Sequence, residues 1–281
     1  MQAIRPGTMR QAGLAANYLF LGVGAVVTLF PFLWMFLATF KTEAEILAWP
    51  SQFWPARFTL ESYKYIWKSL EHFPRNALNS LVVTVGVVVL SGFFDSLAAF
   101  AFAKLKFPGR SGFFTAVLAT LLIPFYTLII PLHQVMKSLG WVNSYMALIV
   151  PGASSAFGIF LLWQYMKGLP DEFLEAARME GASEFIVFWR VYLPLSAPAV
   201  ATLALFRFIN TWNDFLWPLV ATNTTEMRTL TVALALMQSN NVMHWSWLMT
   251  GAFISVVPVI LFYLFAQRHL IDGLTAGGIK G

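Results

Sequence analysis

Three ionisable side chains, Asp95, Arg207 and Asp214, stand inside stretches that are otherwise almost continuously apolar. A charge so placed is costly in hydrocarbon and faces a bundle interior or a water path. Arg207 and Asp214 are seven positions apart, two helical turns, and so share a helix face. Asn210 lies between them on much the same face, with Asn213 flanking it. Carboxamides, a carboxylate and the indoles of Trp212 and Trp217 suit a hydroxyl-rich ring. Asn210, Asn213, Asp214 and Trp217 therefore make a candidate substrate path. The competing structural reading puts Asp95 and Arg207 in helix–helix pairs and leaves Asp214 near the outer interface. A second functional reading is an ion-coupled secondary transporter that uses Asp95, Arg207 and Asp214. It requires inverted repeats or broken midplane helices, and the sequence displays neither clearly.

The other chemistry-bearing stretch is a polar island, Leu169–Pro194, which holds five of the 13 acidic residues and two of the 18 basic ones. Pro170 suits a first helical position, where its missing N–H is not needed. Asp171 and Glu172 follow in the first turn, against the positive end of the helix dipole. Phe173, Leu174, Ala176, Ala177 and Met179 supply an apolar face, and Glu175 can pair with Arg178. Gly181 is placed for a left-handed cap, and Ser183 can cap a second helix, Glu184–Tyr192, which Pro194 stops. Small Ala176, Ala177 and Ala182 at this corner let it enter a cleft on a partner. The alternative, an amphipathic pair lying on lipid, conflicts with a net charge of about −3, since the inner leaflet is anionic.

Other chemistries find no residues to carry them. His72, His133, His244 and His269 have no metal-ligand spacing, and there is no cysteine to form a disulfide, a thiolate or a metal site. Gly277-Gly-Ile-Lys-Gly281 is too short for a phosphate loop and lacks the following helix, so the chain alone hydrolyses no ATP. There is no nucleophile elbow, and no basic run interleaved with aromatics that nucleic acid would need. The reading is a non-enzyme with no metal or cofactor of its own.

These residues must be positioned by membrane helices. Of 281 residues, 58% are hydrophobic and only 11% charged, against about a quarter charged in soluble domains. Crossing the hydrocarbon takes about 20 apolar residues, which gives about six spans: 18–39, 76–103, 112–136, 144–166, 198–220 and 247–266. Their continuous apolarity indicates helices rather than barrel strands. Pro31, Pro124, Pro131, Pro151 and Pro258 fall within spans and can kink them. The first run, Tyr18–Ala38, is too long for a signal-peptide core and is read as a retained span. An even count puts both termini on one side. Lysine and arginine are modestly richer in the segments that share that side, which favours cytoplasmic termini. The fold class is thus an all-α integral membrane protein. Its single domain, 18–268, lies between an N-terminal segment, 1–17, and a tail, 269–281. The long outer segment Lys41–Arg75 has room for a surface helix around Leu60–Leu70.

The order Glu175-Ala176-Ala177, three residues, Gly181, nine residues, Val191-x-Leu193-Pro194 resembles the signature loop of binding-protein-dependent ABC importer permeases, with Val191 where the family usually has Ile. Nearly the whole chain shares the likeness. Asn79-Ser80-Leu81, Ala98-Ala-Phe-Ala-Phe-Ala103 with Lys106-Phe-Pro-Gly-Arg110, and Leu139-Gly-Trp-x-Asn-Ser-Tyr145 are similar to carbohydrate permeases. So are Phe157-Gly-Ile-Phe-Leu-Leu162, Trp212-Asn213 and Gly273-Leu-Thr-Ala-Gly-Gly278, and the smaller membrane subunit of maltose-type importers is the nearest type. The resemblance implies a type I ABC importer permease fold in a bacterial or archaeal plasma membrane, the inner one in Gram-negative cells. It implies four kinds of partner: a homologous second permease, two ATPase subunits holding ATP and Mg, an extracytoplasmic solute-binding protein, and a carbohydrate. It makes the loop's first helix a coupling helix seated in an ATPase groove. Glu175, Ala176, Ala177, Gly181, Ala182, Leu193 and Pro194 are its coupling positions, and Glu175 meets a basic residue. Gly277, Gly278 and Lys280 would reach between the ATPases. The principal transmembrane sugar site would belong to the other permease.

Overall fold

The structure is a computed structural model that describes residues 6–69, 72–237 and 244–278. Among these, in chain order, lie α1 (Pro6–Ala38), α2 (Glu43–Leu47), α3 (Glu61–Ser69), α4 (Phe73–Lys104), α5 (Arg110–Ala119), α6 (Phe125–Ser138), α7 (Tyr145–Ile149) and α8 (Ala156–Lys167). There follow α9 (Glu172–Met179), α10 (Glu184–Val187), α11 (Leu193–Leu195), α12 (Ala197–Trp212), α13 (Leu216–Ala221), α14 (Leu230–Met237) and α15 (Trp245–Gly278). Short 3-10 turns, Thr120–Leu122 and Val150–Gly152, extend α5 and α7. A π-helical segment, Phe188–Tyr192, joins α10 to α11.

By length and apolarity, Asn17–Ala38, Phe73–Lys104 and Trp245–Phe265 can each cross a membrane alone. Three further helix pairs pass only together: 110–122 with 125–138, bent by 105°, 145–152 with 156–167, bent by 40°, and 184–195 with 197–212, bent by 79°. Up to six spans result. Broken helices are therefore present, where the sequence seemed to lack them. The cause is local. Pro124 takes an extended conformation between α5 and α6, Pro151 sits in the turn after α7, and Ser196 breaks the chain between Pro194 and Pro198. A proline in an apolar run reads as a kink, but with extended or turn residues beside it the helix ends.

The chain divides into two compact units. The first combines residues up to 71 with 238–255. Most apolar side chains of α1 are exposed, and none of its spanning window is buried inside the protein. The segment 41–69 supplies aromatic order: Phe53 stacks on Phe30 at 5.7 Å and meets Trp54 edge-on. Lys41 Nζ sits 4.4 Å over the Trp34 ring and donates to the Gln52 carbonyl. The expected surface helix is α3. Glu43 caps the start of α15, accepting from the Trp245 and Ser246 amides at 2.9 Å and from Ser246 Oγ at 2.8 Å. Burial pushes this carboxyl up, but those donors, with His244 nearby, bring it below its ordinary value.

The second unit, 72–237 with 256–281, is organised around α4, against which α8 and α12 pack. Its buried face repeats at helical spacing through Asn76, Asn79, Val83, Val87, Ser91, Asp95 and Ala99. Two of these are pins. Asn76 Nδ2 donates to the Thr225 and Arg228 carbonyls at 2.8 Å, and Asn79 Nδ2 to Glu226 and Arg228 at 2.7 and 3.0 Å. Tyr145 then donates to Asn79 Oδ1 at 2.6 Å. Asn143, at φ 62°, accepts from the Asn223 and Thr224 amides. The Asn79 and 139–145 motifs thus fasten one end of this unit. The segment read as a tail from 269 is helical to Gly278 and continuous with α15. Gly277 and Gly278 are the last helical residues, and Lys280 lies outside the described residues.

Candidate functional site

The polar island folds as two helices meeting at Gly181, whose φ of 79° is left-handed. The Gly181 amide donates to the Arg178 carbonyl and the Ala182 amide to Ala177, both at 3.0 Å, closing α9 with the reciprocal pattern of a glycine cap. Asp171 flanks α9 without capping it, and α9 begins at Glu172 rather than at Pro170. The sides also differ from the expected pattern. Leu174 is buried, with Ala177 and Ala182 packed beside it, against Phe100, Leu162, Met166, Val187, Phe188 and Tyr192. Glu175, Ala176, Gly181 and Met179 are exposed, so Ala176 and Met179 belong to the outer face. Met179 is 89% exposed. Arg178 pairs with Glu184, at 2.7 and 2.9 Å, and not with Glu175, because the cap folds α10 back within its reach.

Pro194 does not stop the second helix at Tyr192. It sits in the first turn of α11, and the helical run continues to Leu195 before breaking at Ser196. Pro194 has no N–H to give, and the ladder ahead of it loosens into the π segment, with the Leu193 amide bonded back to Phe188. Leu193 packs partly buried against the core while Pro194 is exposed.

Two residues that anchor the island had no signal in the sequence pattern. Lys104 ends α4 with its side chain only 2% exposed, and its Nζ donates to Asp171 at 2.5 Å and to the Leu169 carbonyl at 2.6 Å. It also lies 5.4 Å from the Tyr192 ring centre. Tyr192 in turn donates to the Pro170 carbonyl at 3.1 Å. The hydrogen bond and charge of Lys104 hold the Asp171 carboxyl below its ordinary value. A lysine 67 residues from its partner carries no periodicity that would reveal it.

A cavity of about 930 Å³ opens in the second unit, with Tyr126, Ser154, Arg207, Asn210, Asn213, Asp214 and Trp217 among its lining residues. All four residues of the expected substrate path reach it, but in different roles. Asn210 is exposed to it. Asn213 Nδ2 donates to the Ile209 carbonyl at 2.9 Å, and Asp214 accepts from the Trp217 amide at 3.4 Å. Trp217 is buried and its indole N–H is committed to the Ala147 carbonyl at 2.9 Å, so it shapes the wall. Behind the wall, Asp95 is fully buried and accepts from Ser154 Oγ, the Ser155 amide and Ser155 Oγ at 2.6, 2.8 and 3.1 Å. Arg207 donates to Ser91 Oγ at 3.3 Å and to the Gly152 carbonyl. A Cβ on Gly158 would overlap the Asp95 carboxylate, which accounts for glycine in the 157–162 motif. Among the described residues no group of three or more His, Asp or Glu could hold a metal ion.

Residues 95–275 match the model of the binding-protein-dependent transport system inner membrane component family. The chain belongs to that family. It is 37% identical over 259 residues to the arabinooligosaccharides transport system permease protein AraQ of Halalkalibacterium halodurans, covering 92% of this chain and 93% of that one. It is 33% identical over 279 residues to the trehalose/maltose transport system permease protein MalG of Thermococcus litoralis, covering 97% and 100%. In structure it resembles a chain of a bacterial ABC transporter involved in the import of the acidic polysaccharide alginate. The TM-score is 0.80 at 26% identity, with 95% of this chain and 99% of the other covered. The protein is therefore a permease subunit of a binding-protein-dependent transport system, a multi-pass component of the plasma membrane and not itself an enzyme. Broken helices, which a secondary transporter would need, belong here to the permease fold.

Proposed function

We propose that the subunit moves a neutral oligosaccharide, handed over by an extracytoplasmic binding protein, through a pore shared with a second, homologous permease. Two ATPase subunits that hold ATP and Mg drive it, one of them through α9. The observation that carries this reading is the divided face of the island. Leu174, Ala177 and Ala182 fix it to the core, while Glu175, Ala176, Met179 and Gly181 stand uncovered with an acidic surround. A bare, small-residue helix corner fits a groove, and Glu175 meets a basic residue there. Coupling at Leu193 and Pro194 is indirect, through the bend at Ser196 that leads into α12.

In this reading the island, both termini and the end of α15 are cytoplasmic, and Gly277, Gly278 and Lys280 lie near the paired ATPases. ATP-driven closure of the ATPases pushes α9, and the bent spans turn the cavity from one side of the membrane to the other. Asn210, Asn213 and Asp214 offer hydrogen-bonding groups along that path. The names of the relatives, arabinooligosaccharide and trehalose/maltose permeases, support a short sugar chain as cargo. The test is transport by the assembled complex in proteoliposomes with ATP inside. Uptake of arabino- or malto-oligosaccharides that requires both the binding protein and ATP is expected. Uptake that proceeds without ATP, driven by an ion gradient, would overturn the reading.

A further inference from the structure

The span formed by α7 and α8 is interrupted between Gly152 and Ala156, beside the cavity. An interrupted helix leaves carbonyls at one cut end and amides at the other, and an apolar bundle must satisfy both from its own side chains. Here two charged residues do so from two other helices. Asp95, on α4, accepts the Ser155 amide at the start of α8 and both neighbouring serine hydroxyls. Arg207, on α12, donates to the Gly152 carbonyl at the end of the α7 turn. Each charge complements the dipole of the cut end that it meets, an anion at an amino end and a cation at a carboxyl end. Arg207 also bonds Ser91, one turn from Asp95 on α4, so three helices meet in one polar knot. The missing side chain of Gly158 leaves room for the carboxylate over the first turn of α8.

We propose that Asp95 and Arg207 form an oriented clamp, positioning residues that lock the break in α7–α8 to α4 and α12 and pass the movement of α12 to the cavity wall. The proposal rests on the importer reading. It differs from a plain buried ion pair because it fixes which charge must sit at which cut end. Two observations give it a transmission role. The helix of Arg207 follows the coupling loop directly across Ser196, and Arg207 itself lines the cavity with Asn210 and Asp214 further along the same stretch.

The chain contains no cysteine, so an Asn210→Cys substitution gives one reporter in the cavity of the assembled importer. Its reaction with a membrane-impermeant maleimide is followed with and without ATP and vanadate. In the parent, trapping changes the labelling rate. In the exchange Asp95→Arg with Arg207→Asp, that response is expected to fall roughly fivefold or more, although complex yield and trapped nucleotide persist. Asp95→Asn keeps one acceptor and should lose less, whereas Gly158→Ala, which alters no charge, should behave like the exchange. A restored response in the exchange would show that orientation is irrelevant and overturn the clamp. So would an unchanged response in all variants, or a response lost only in step with the complex itself. A parent that shows no ATP-dependent change would instead refute the importer reading, and the clamp with it.

Discussion

Replacing Lys104 by methionine should loosen the 169–194 loop without unfolding the membrane helices. The side chains have similar length, so packing against Tyr192 is largely kept, and what disappears is the pair of bonds to Leu169 and Asp171. A hydrogen bond from a charged donor is worth about 1.5–3 kcal/mol. The Asp171 contact is discounted to at most about 1 kcal/mol because its carboxylate is 74% exposed. Together they give about 2 kcal/mol at the low end, or roughly a 30-fold rise in local opening. The assay is amide hydrogen exchange in the purified complex, read at Leu174 and Glu175, whose amides bond to the Asp171 carbonyl at 2.9 and 3.1 Å. Asp171→Asn alone should raise exchange only a few-fold. Because the folded value of Asp171 lies below the ordinary 3.8, its contribution is complete above that pH and is lost only as pH falls through the folded value. Lowering pH from about 7 to about 5 should therefore leave protection intact. Unchanged exchange in Lys104→Met would refute the anchoring role.

Two further outcomes separate the faces of the loop and test the cap at the start of α15. Leu174→Ala should destabilise the protein by about 2–5 kcal/mol, seen as a lower melting temperature. Met179→Ala should stay within about 0.5 kcal/mol of the parent yet weaken association with the ATPase in a pull-down. In the first unit, Glu43 caps α15 with a carboxyl held below its ordinary 4.5. Its contribution is full above that value and is lost as pH falls through the folded value. Protection of the Trp245 and Ser246 amides, taken relative to their intrinsic exchange rate at each pH, should fall in that acidic window and already be lower at neutral pH in Glu43→Gln.

The sequence was legible where a pattern has one physical meaning. Long apolar runs gave α1, α4 and α15, and Gly181 announced a left-handed corner because few other residues accept that conformation. The bent spans were less legible, since an internal proline can either kink a helix or end it, and the neighbours decide. The faces of α9 were misjudged because an eight-residue helix offers two turns of pattern, too few to tell a core-facing methionine from an exposed one. Lys104 was beyond reach, since its partner lies 67 residues away. Helix–helix pairing of Asp95 and Arg207 was one of the sequence readings, and only the serine partners of Asp95, about 60 residues on, were not. Trp217 suits a sugar ring by type, and the structure places it in the cavity lining with its indole N–H bonded to the Ala147 carbonyl, a partner 70 residues away that no pattern announces.

The central claim is that the Gly181 corner docks the ATPase. A Cβ at Gly181 meets nothing within 4 Å, so Gly181→Phe starts into open space, and the left-handed φ of 79° costs it about 1–2 kcal/mol of backbone strain. The measurement is co-purification of the ATPase with this variant, in membranes where its own level is first shown to match the parent. Loss of the ATPase with normal insertion is the result expected. Full retention of the ATPase, with ATP-driven sugar uptake intact, would contradict the account.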